Sequence, residues 1–171
     1  MDRLPKFPEQ LFEDVDIPVI VQAAVPSKGL TRAKILDILG VNSDKGVIQE
    51  FKDWEDDPEG FKVPEVYSTY MDDGSNHLGQ KPEDVRAALV SGKRMGNDYD
   101  GLYLGRLVYP AVLNHHQLDL SGTQYGFGFG ADLRWGEDGP WFLYCRRVGD
   151  AYPDYGSVVA GRNINIGNLF S

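Results

Sequence analysis

A single cysteine and the lack of any long apolar run limit what this sequence of 171 residues can be. One cysteine cannot form an intrachain disulfide framework, and such scarcity is typical of proteins in a reducing compartment. The longest apolar stretch, residues 17–26, is too short to span a bilayer. Residues 1–6 lack the apolar segment of a secretory signal. We therefore expect a cytoplasmic protein that does not cross a membrane.

Basic residues are in deficit, because 17 Lys and Arg stand against 26 Asp and Glu and give a formal net charge of −9. This charge opposes phosphate backbones and anionic lipid surfaces over most of the molecule. We therefore expect no nucleic-acid partner and no membrane partner. Small basic groups such as Lys93-Arg94 and Arg146-Arg147 remain candidates for a local anion site.

The motifs of the common catalytic and nucleotide-binding sites are missing as well. The chain has no G-x-S-x-G nucleophile elbow, no P-loop and no H-E-x-x-H helix. The acidic run at 53–60 does not fit a calcium loop, because Pro58 takes the place of the required glycine and Pro64 that of the bidentate glutamate. We interpret this run as a solvated loop, and we expect no cofactor and no metal ion.

What is present suffices for one folded domain, since 42% hydrophobic and 25% charged residues are ordinary for a globular protein. The apolar spacing predicts a strand at 17–25, in the middle of a sheet, and a second strand at 63–70. It predicts a helix at 32–39 that is buried through Ile35, Ile38 and Leu39, and a second helix that begins at Pro82. A third helix is capped by Asp98 or Asp100 and is broken at Pro110. With a hairpin near the end, this order predicts an α+β fold: a mixed, largely antiparallel sheet with about three helices packed on one face. We expect an N-terminal arm at 1–16, a single domain at 17–162 and a C-terminal tail at 163–171.

The most informative segment is a β-hairpin between Thr123 and Val148. Its first strand alternates aromatic residues and glycines over 125–130, and its return strand covers 141–147. Side chains along a strand point alternately to opposite faces, so three glycines would leave one face bare. Because glycine weakens a strand, a bare track indicates the close approach of either a helix backbone or a ligand. The sequence leaves these two open.

Several segments can be compared with known families: the strand at 17–21, the helix start at 82–85, residues 100–102 and 109–114, the aromatic hairpin and residues 160–162. Over residues 17–162, these segments together resemble an uncharacterised bacterial domain-of-unknown-function family of single-domain cytosolic proteins. In that family a Cys-containing segment and a Gly-Ser-Arg triplet follow the third helix, where this chain has His115-His116-Gln117 and then Ser121-Gly122-Thr123. The resemblance implies no activity, because the family has no established chemistry.

The surplus of aromatic residues on the hairpin favours recognition. Aromatic walls with a few convergent polar groups are typical of small-molecule pockets. Our leading hypothesis is a non-catalytic binding protein for a small molecule or a protein partner, with a groove on this hairpin. The ligand-binding residues would be four aromatic walls and an arginine for an anionic end: Tyr125, Phe127, Phe129 and Trp141, with Arg146 or Arg162. The alternative is that the rings are core and the arginines are solvated or paired.

Two other hypotheses remain. An enzyme could use His115 or His116 as general acid-base, with Cys145 or Asp132 assisting. Ordinary packing at a helix end for the histidines, and a core position for Cys145, would explain the same residues without catalysis. An oligomeric scaffold would instead use exposed aromatic residues as an interface between copies of the chain.

Overall fold

The structure is a computed structural model that describes residues 17–23, 25–43, 54–56, 64–125, 128–136 and 139–166. For residues 26, 54–56, 125, 136 and 139–142 it describes the backbone. The described α-helices are α1 (Arg32–Leu39), α2 (Pro82–Ala87) and α3 (Asp98–Tyr103). The strands are β1 (Ile17–Gln22), β2 (Asn42–Ser43), β3 (Trp54–Asp56), β4 (Val66–Met71), β5 (Arg94–Met95), β6 (Gln117–Tyr125), β7 (Phe129–Gly136), β8 (Gly139–Arg147), β9 (Tyr155–Ser157), β10 (Val159–Ala160) and β11 (Ile164–Asn165).

The first sheet has the strand order β1-β4-β10-β5, with β11 also paired to β4, and all of its pairs are antiparallel. Among the described residues β1 pairs with β4 alone, so it lies at the edge of this sheet and not in the middle as its composition predicted. Burial alternates along it: Val19 and Val21 are buried, whereas Pro18 and Ile20 are exposed. One face of β1 is therefore core and the other meets solvent.

The second sheet has the order β2-β8-β7-β6-β3. Its centre is an antiparallel meander of β6, β7 and β8, and it also contains parallel pairs, β2 with β8 and β9 with β6. Together the two sheets and three α-helices confirm the predicted α+β class with mixed, largely antiparallel pairing. The strands divide between two sheets where the sequence suggested one. The fold also continues beyond residue 162, because β11 joins the first sheet and Ile166 is buried.

Local signals explain where α1 and α2 begin. Thr31 caps α1 by accepting a hydrogen bond from the Lys34 amide, and α1 ends at Gly40 in a left-handed conformation, both as predicted. Pro82 opens α2 as predicted. The predicted buried face of α1 is partly wrong, since Ile38 is 73% exposed and Leu36 is buried in its place.

The third helical region is broken into three parts. After α3 the chain continues as a π-helical turn at Leu104–Val108 and, past the non-helical Tyr109, as a 3-10 turn at Pro110–Asn114. Pro110 therefore splits the region as expected, because proline cannot continue the helical hydrogen bonding. The predicted cap is wrong: Asn97 caps α3, and Asp100 completes the capping box by accepting from the Asn97 amide.

Helix α3 lies between the two sheets and contacts β1, β6 and β7. The main core surrounds it and draws apolar side chains from both sheets, among them Val19, Val21, Tyr67 and Met71 from the first and Leu118, Leu120, Leu133 and Leu143 from the second. Gly101 of α3 allows the close approach to the second sheet, because a Cβ at this position would lie 2.3 Å from the methyl carbons of Leu120.

Buried ion pairs hold the N-terminus of α3. Asp98 binds the Arg32 guanidinium at 2.5 and 3.0 Å and accepts a 2.7 Å hydrogen bond from the Thr123 hydroxyl of β6. Asp100 is paired with Arg94 of β5 and accepts a 2.7 Å hydrogen bond from the Tyr67 hydroxyl of β4. The helix is therefore tied to α1 and to both sheets through two buried carboxylates.

We expect Gly101→Ala to destabilise the protein, because the added methyl group cannot fit without moving Leu120. Overpacking of this kind costs about 1–3 kcal/mol of unfolding free energy, which urea titration measures. Gly161→Ala is the matched control, since its Cβ would lie at an ordinary 3.6 Å from the nearest atom. Equal stability of the two variants would contradict the close approach of α3 to β6.

We expect Asp98→Asn to lower the unfolding free energy by about 3–5 kcal/mol, because it removes the buried anion that faces the Arg32 guanidinium. Glu65→Gln is the matched control: it breaks the exposed pair of Lys28 and Glu65, 2.7 Å apart, and should cost no more than about 1 kcal/mol. Both values come from chemical denaturation at neutral pH. Similar losses for the two variants would show that the Asp98 pair does not support the fold.

Candidate functional site

The alternating glycine run does not form the predicted single strand. β6 ends at Tyr125 and β7 begins at Phe129, and Gly128 lies in the turn between them with φ of 86°. Gly126 and Phe127 lie outside the described residues. A Cβ on Gly130 would meet Ser121 of the neighbouring strand at 2.9 Å, so the chain itself fills that position. The prediction of a bare track across one strand face is wrong, because a turn interrupts the alternation.

The residues predicted to bind a ligand are scattered. The side chains of Tyr125 and Trp141, like Phe127, lie outside what the structure describes. Phe129 is half-buried beneath the Arg147 guanidinium, which lies 5.8 Å from the ring centroid, and Arg162 is exposed. Arg146 is the predicted residue that joins a cluster of buried polar groups.

The candidate catalytic residues are likewise separated. His115 is exposed, whereas His116 is buried and its Nε2 lies 2.6 Å from the Asp73 carbonyl oxygen. Ala131 and Asp132 are successive residues of β7 and pair with Cys145 and Tyr144. Cys145 packs against the core, and Asp132 therefore faces the other side of the sheet.

That other side of the second sheet carries the candidate site. Strand partners in register share a face, and the row Ser157–Asp119–Asp132–Tyr144 crosses β9, β6, β7 and β8 in that order. Alternation along the strands adds Tyr155, Arg134 and Arg146 to the same side. We call this surface, made by Asp119, Asp132, Arg134, Tyr144, Arg146, Tyr155 and Ser157, the polar face.

Two carboxylates lie at the centre of the polar face. Asp119 of β6 and Asp132 of β7 are direct cross-strand partners, and each is 1% exposed. Burial raises the pKa of Asp119 to about 6, although the Arg146 charge opposes this. Burial also raises the pKa of Asp132 to about 7, and the neighbouring Asp119 charge adds to the shift while Arg134 opposes it. The centre of the polar face therefore changes its charge near neutral pH.

Arg146 lies over this pair and is itself 9% exposed at the side chain. Its Nε is 3.2 Å from Asp119 Oδ1, and its Nη2 donates a 2.8 Å hydrogen bond to the Asp150 carbonyl. Its guanidinium carbon is 4.2 Å from the ring centroids of both Tyr152 and Tyr155. Carboxylate, carbonyl and two aromatic faces hold the guanidinium in one position.

Arg134 borders the polar face and is 38% exposed. Its Nε is 3.9 Å from Asp132 Oδ1, and its guanidinium stacks 4.5 Å from the Tyr144 ring centroid. It also hydrogen-bonds the Tyr155 hydroxyl. Arg134 thus links the buried carboxyl pair to the solvent-facing rim of the surface.

Several buried polar atoms of the polar face have no hydrogen-bond partner among the described residues. They are Asp119 Oδ2, Asp132 Oδ1, Arg146 Nη1 and Ser157 Oγ, together with Arg146 Nε, which forms an ion pair with Asp119 Oδ1 at 3.2 Å without a hydrogen bond. Native proteins satisfy nearly all buried polar atoms, so such a group calls for a specific explanation. Acceptors and donors are both represented, which means that the cluster can engage a partner with mixed hydrogen-bonding capacity.

Sequence reasoning placed Asp132 and Arg146 on one hairpin and kept arginines paired with Asp132 as the alternative to a ligand site, but it missed Asp119, Tyr144, Tyr152, Tyr155 and Ser157. A usable signal existed in residues 117–121, where polar and apolar residues alternate as expected for a half-buried strand. Recognising β6 would have placed Asp119 on a polar strand face. Its pairing with Asp132 still depends on the register of two strands, which a single sequence does not reveal.

The comparisons with known proteins give no further guide to the site: no family model, no curated protein and no solved structure matches the chain. The resemblance to an uncharacterised bacterial family therefore stays a prediction. Among the described residues, no helix has the length and hydropathy that crossing a bilayer requires. In the same part of the chain, no three His, Cys, Asp or Glu residues are grouped so that they could hold a metal ion.

We expect Asp132→Asn to become more stable relative to the natural protein as the pH rises. The folded pKa of Asp132, about 7, lies above its ordinary value of 3.8. The stability that its proton supports is thus complete below about pH 4 and is lost as the pH rises to about 7. Thermal unfolding of both proteins at several pH values measures this. A stability difference that stays constant over the range would contradict a raised pKa for Asp132.

Proposed function

We propose that this chain is a cytoplasmic, non-catalytic binding protein that takes a small polar molecule on the polar face. The observation that carries the proposal is the set of buried donors and acceptors there without partners among the described residues, on Asp119, Asp132, Arg146 and Ser157. Leaving such groups unpaired costs free energy, which a ligand with matching groups would recover. Pre-positioned polar atoms of this kind give a binding site its specificity.

Aromatic rings around these atoms support the same function. Tyr152 is 43% exposed and stacks on Arg146, while Tyr144 and Tyr155 are half-buried. Rings with an apolar body and a polar hydroxyl are common walls of small-molecule sites. A planar ligand could contact the exposed Tyr152 ring and Arg134 at the rim before it reaches the buried groups.

We favour binding over catalysis because of where the reactive side chains lie. His116 is occupied by the Asp73 carbonyl, and Cys145 lies on the opposite side of its sheet from Asp132. These positions do not bring His116 together with Cys145 or Asp132 as the general acid-base hypothesis requires.

We also favour a small molecule over a protein partner or a second copy of the chain. The partnerless atoms are buried and lie on adjacent strands of one sheet face, which suits a compact ligand better than a broad, flat contact. The net charge of −9 supports the expectation of no nucleic-acid partner. The single cysteine supports a reducing, cytoplasmic location.

The test is a thermal-shift screen with a library of small polar molecules, followed by titration of each stabilising compound. We expect Arg146→Lys to weaken binding by about tenfold or more, because lysine keeps the charge but loses the planar set of donors. Arg147→Lys is the matched control: it is the next residue of β8, is exposed and lies on the other side of the strand.

Amide shifts in the spectrum of the isotope-labelled protein locate each compound. The proposal predicts the largest shifts at residues 119, 132, 146 and 157. Compounds that bind Arg146→Lys and Arg147→Lys equally well, or that shift only residues elsewhere, would contradict a ligand site on the polar face.

A further inference from the structure

We propose that Asp119 and Asp132 share one proton, and that this proton keeps the segment 148–154 closed over the polar face. The shared proton is inferred from the geometry of the carboxyl pair alone. Its meaning as a control of ligand access rests on the proposed function. We call residues 148–154 the covering segment.

The strand register places Asp119 and Asp132 directly opposite each other on the polar face. Like charges directly opposite on neighbouring strands repel, and a buried charge without hydrogen bonds is costly. Asp119 Oδ2 and Asp132 Oδ1 are buried and have no donor among the described residues. One proton bound by the pair removes one of the two negative charges, so the repulsion disappears. The same proton supplies a hydrogen-bond donor to the buried oxygens.

The arginines indicate which carboxyl carries the charge. Arg146 Nε lies 3.2 Å from Asp119, whereas Arg134 Nε is 3.9 Å from Asp132 and is more exposed. The closer and more buried cation stabilises the anion more strongly. Asp119 is therefore the carboxylate and Asp132 the carboxylic acid, which agrees with the higher pKa of Asp132. The pair titrates as one unit.

Backbone hydrogen bonds hold both ends of the covering segment, from the Val148 amide to the Gly128 carbonyl and from the Gln117 amide to the Asp154 carbonyl. Between these ends it is fastened by Arg146, whose guanidinium binds the Asp150 carbonyl and stacks between Tyr152 of this segment and Tyr155 of β9. Residues 150–154 are otherwise exposed to solvent. Arg146 thus connects the charged member of the pair, Asp119, to the segment above it.

The remaining charged and titratable groups around the pair come from each neighbouring element of the described chain. They are Arg134 on β7, Tyr144 on β8, Tyr155 on β9, Tyr152 in the covering segment, and Glu83 and Arg86 on α2. The Glu83 carboxylate lies beside Gly149, and the Arg86 guanidinium donates a hydrogen bond to the Ser121 carbonyl. The two nearest cations, Arg134 and Arg146, match the two carboxylates in number. A second carboxylate charge can therefore form, but its hydration requires water that the closed surface excludes.

Opening the covering segment admits this water. In the open state both carboxyl groups are solvated and ionise as ordinary aspartates, so that opening releases the shared proton to solvent. The opening equilibrium therefore rises with pH between about pH 4 and about pH 7, by up to about tenfold for each pH unit, and is constant above that range. A ligand would find the polar face more accessible at the alkaline end.

The first measurement is the titration of the aspartate carboxyl carbons by carbon-13 NMR in the intact protein. We expect the upper titration of the pair, which belongs to Asp132, near pH 7, and we expect this upper titration to disappear in Asp132→Asn. In that variant the introduced side-chain amide donates permanently to Asp119 and imitates the protonated pair. Asp37→Asn, on the exposed side of α1, is the matched control and should leave the neutral titration unchanged. Ionisation of both Asp119 and Asp132 below about pH 5 would overturn the shared proton.

The second measurement is hydrogen exchange of the amides in the covering segment, corrected for the intrinsic effect of pH. In the natural protein and in Asp37→Asn, protection should fall by up to about tenfold per pH unit up to about pH 7. In Asp132→Asn the protection should not change with pH. The same pH dependence in all three proteins would overturn the control of the covering segment by the proton.

These readouts separate the two proposals. A neutral titration with pH-dependent exchange supports the shared proton even if no compound in the screen binds, in which case the proposed binding function alone fails. Conversely, binding that depends on Arg146 in a protein whose aspartates titrate ordinarily overturns the shared proton and leaves the proposed function standing.

Discussion

The paired carboxylates at the N-terminus of α3 are the interaction on which the rest of the structure depends. Asp98 and Asp100 are completely buried, yet each has donors at both oxygens. The donors come from α1, from both sheets and from the turn before the helix: Arg32, Arg94, Tyr67, Thr123 and Asn97. Removing a donor would leave the charge of a buried carboxylate uncompensated, which strongly destabilises a fold. These contacts therefore hold the two sheets in one arrangement around α3.

The carboxyl pair of Asp119 and Asp132 differs from the α3 carboxylates in this respect. All four carboxyl groups are buried, but on the polar face two carboxyl oxygens, the Ser157 hydroxyl and part of the Arg146 guanidinium have no hydrogen-bond partner among the described residues. Satisfied ion pairs such as those of α3 serve the fold, whereas unsatisfied ones are the kind of group that functional sites retain. This contrast between two buried acidic clusters of one molecule is the reason for placing function on the second sheet.

Sequence reasoning succeeded where the signal is local. The Thr31 cap, the Gly40 stop, the start of α2 at Pro82 and the return strand of the hairpin all depend on residues within one or two turns of each other. It failed where a distant contact decides. Ile38 is exposed because the surroundings of α1 cover another side of the helix, and the glycine-aromatic run bends at Gly128 instead of continuing as a strand.

By itself, the sequence determined the α+β class, the elements with strong capping or turn residues, the absence of a disulfide framework and the acidic character of the chain. Composition and short-range spacing are sufficient for these, because they act through neighbouring residues. Only the tertiary structure decided that the strands form two sheets around α3 and that Asp119 lies opposite Asp132 beneath Arg146. The physical reason is strand register: shifting one pairing by a single residue would turn these side chains to the core, and the residues that set the pairing are far apart in the chain.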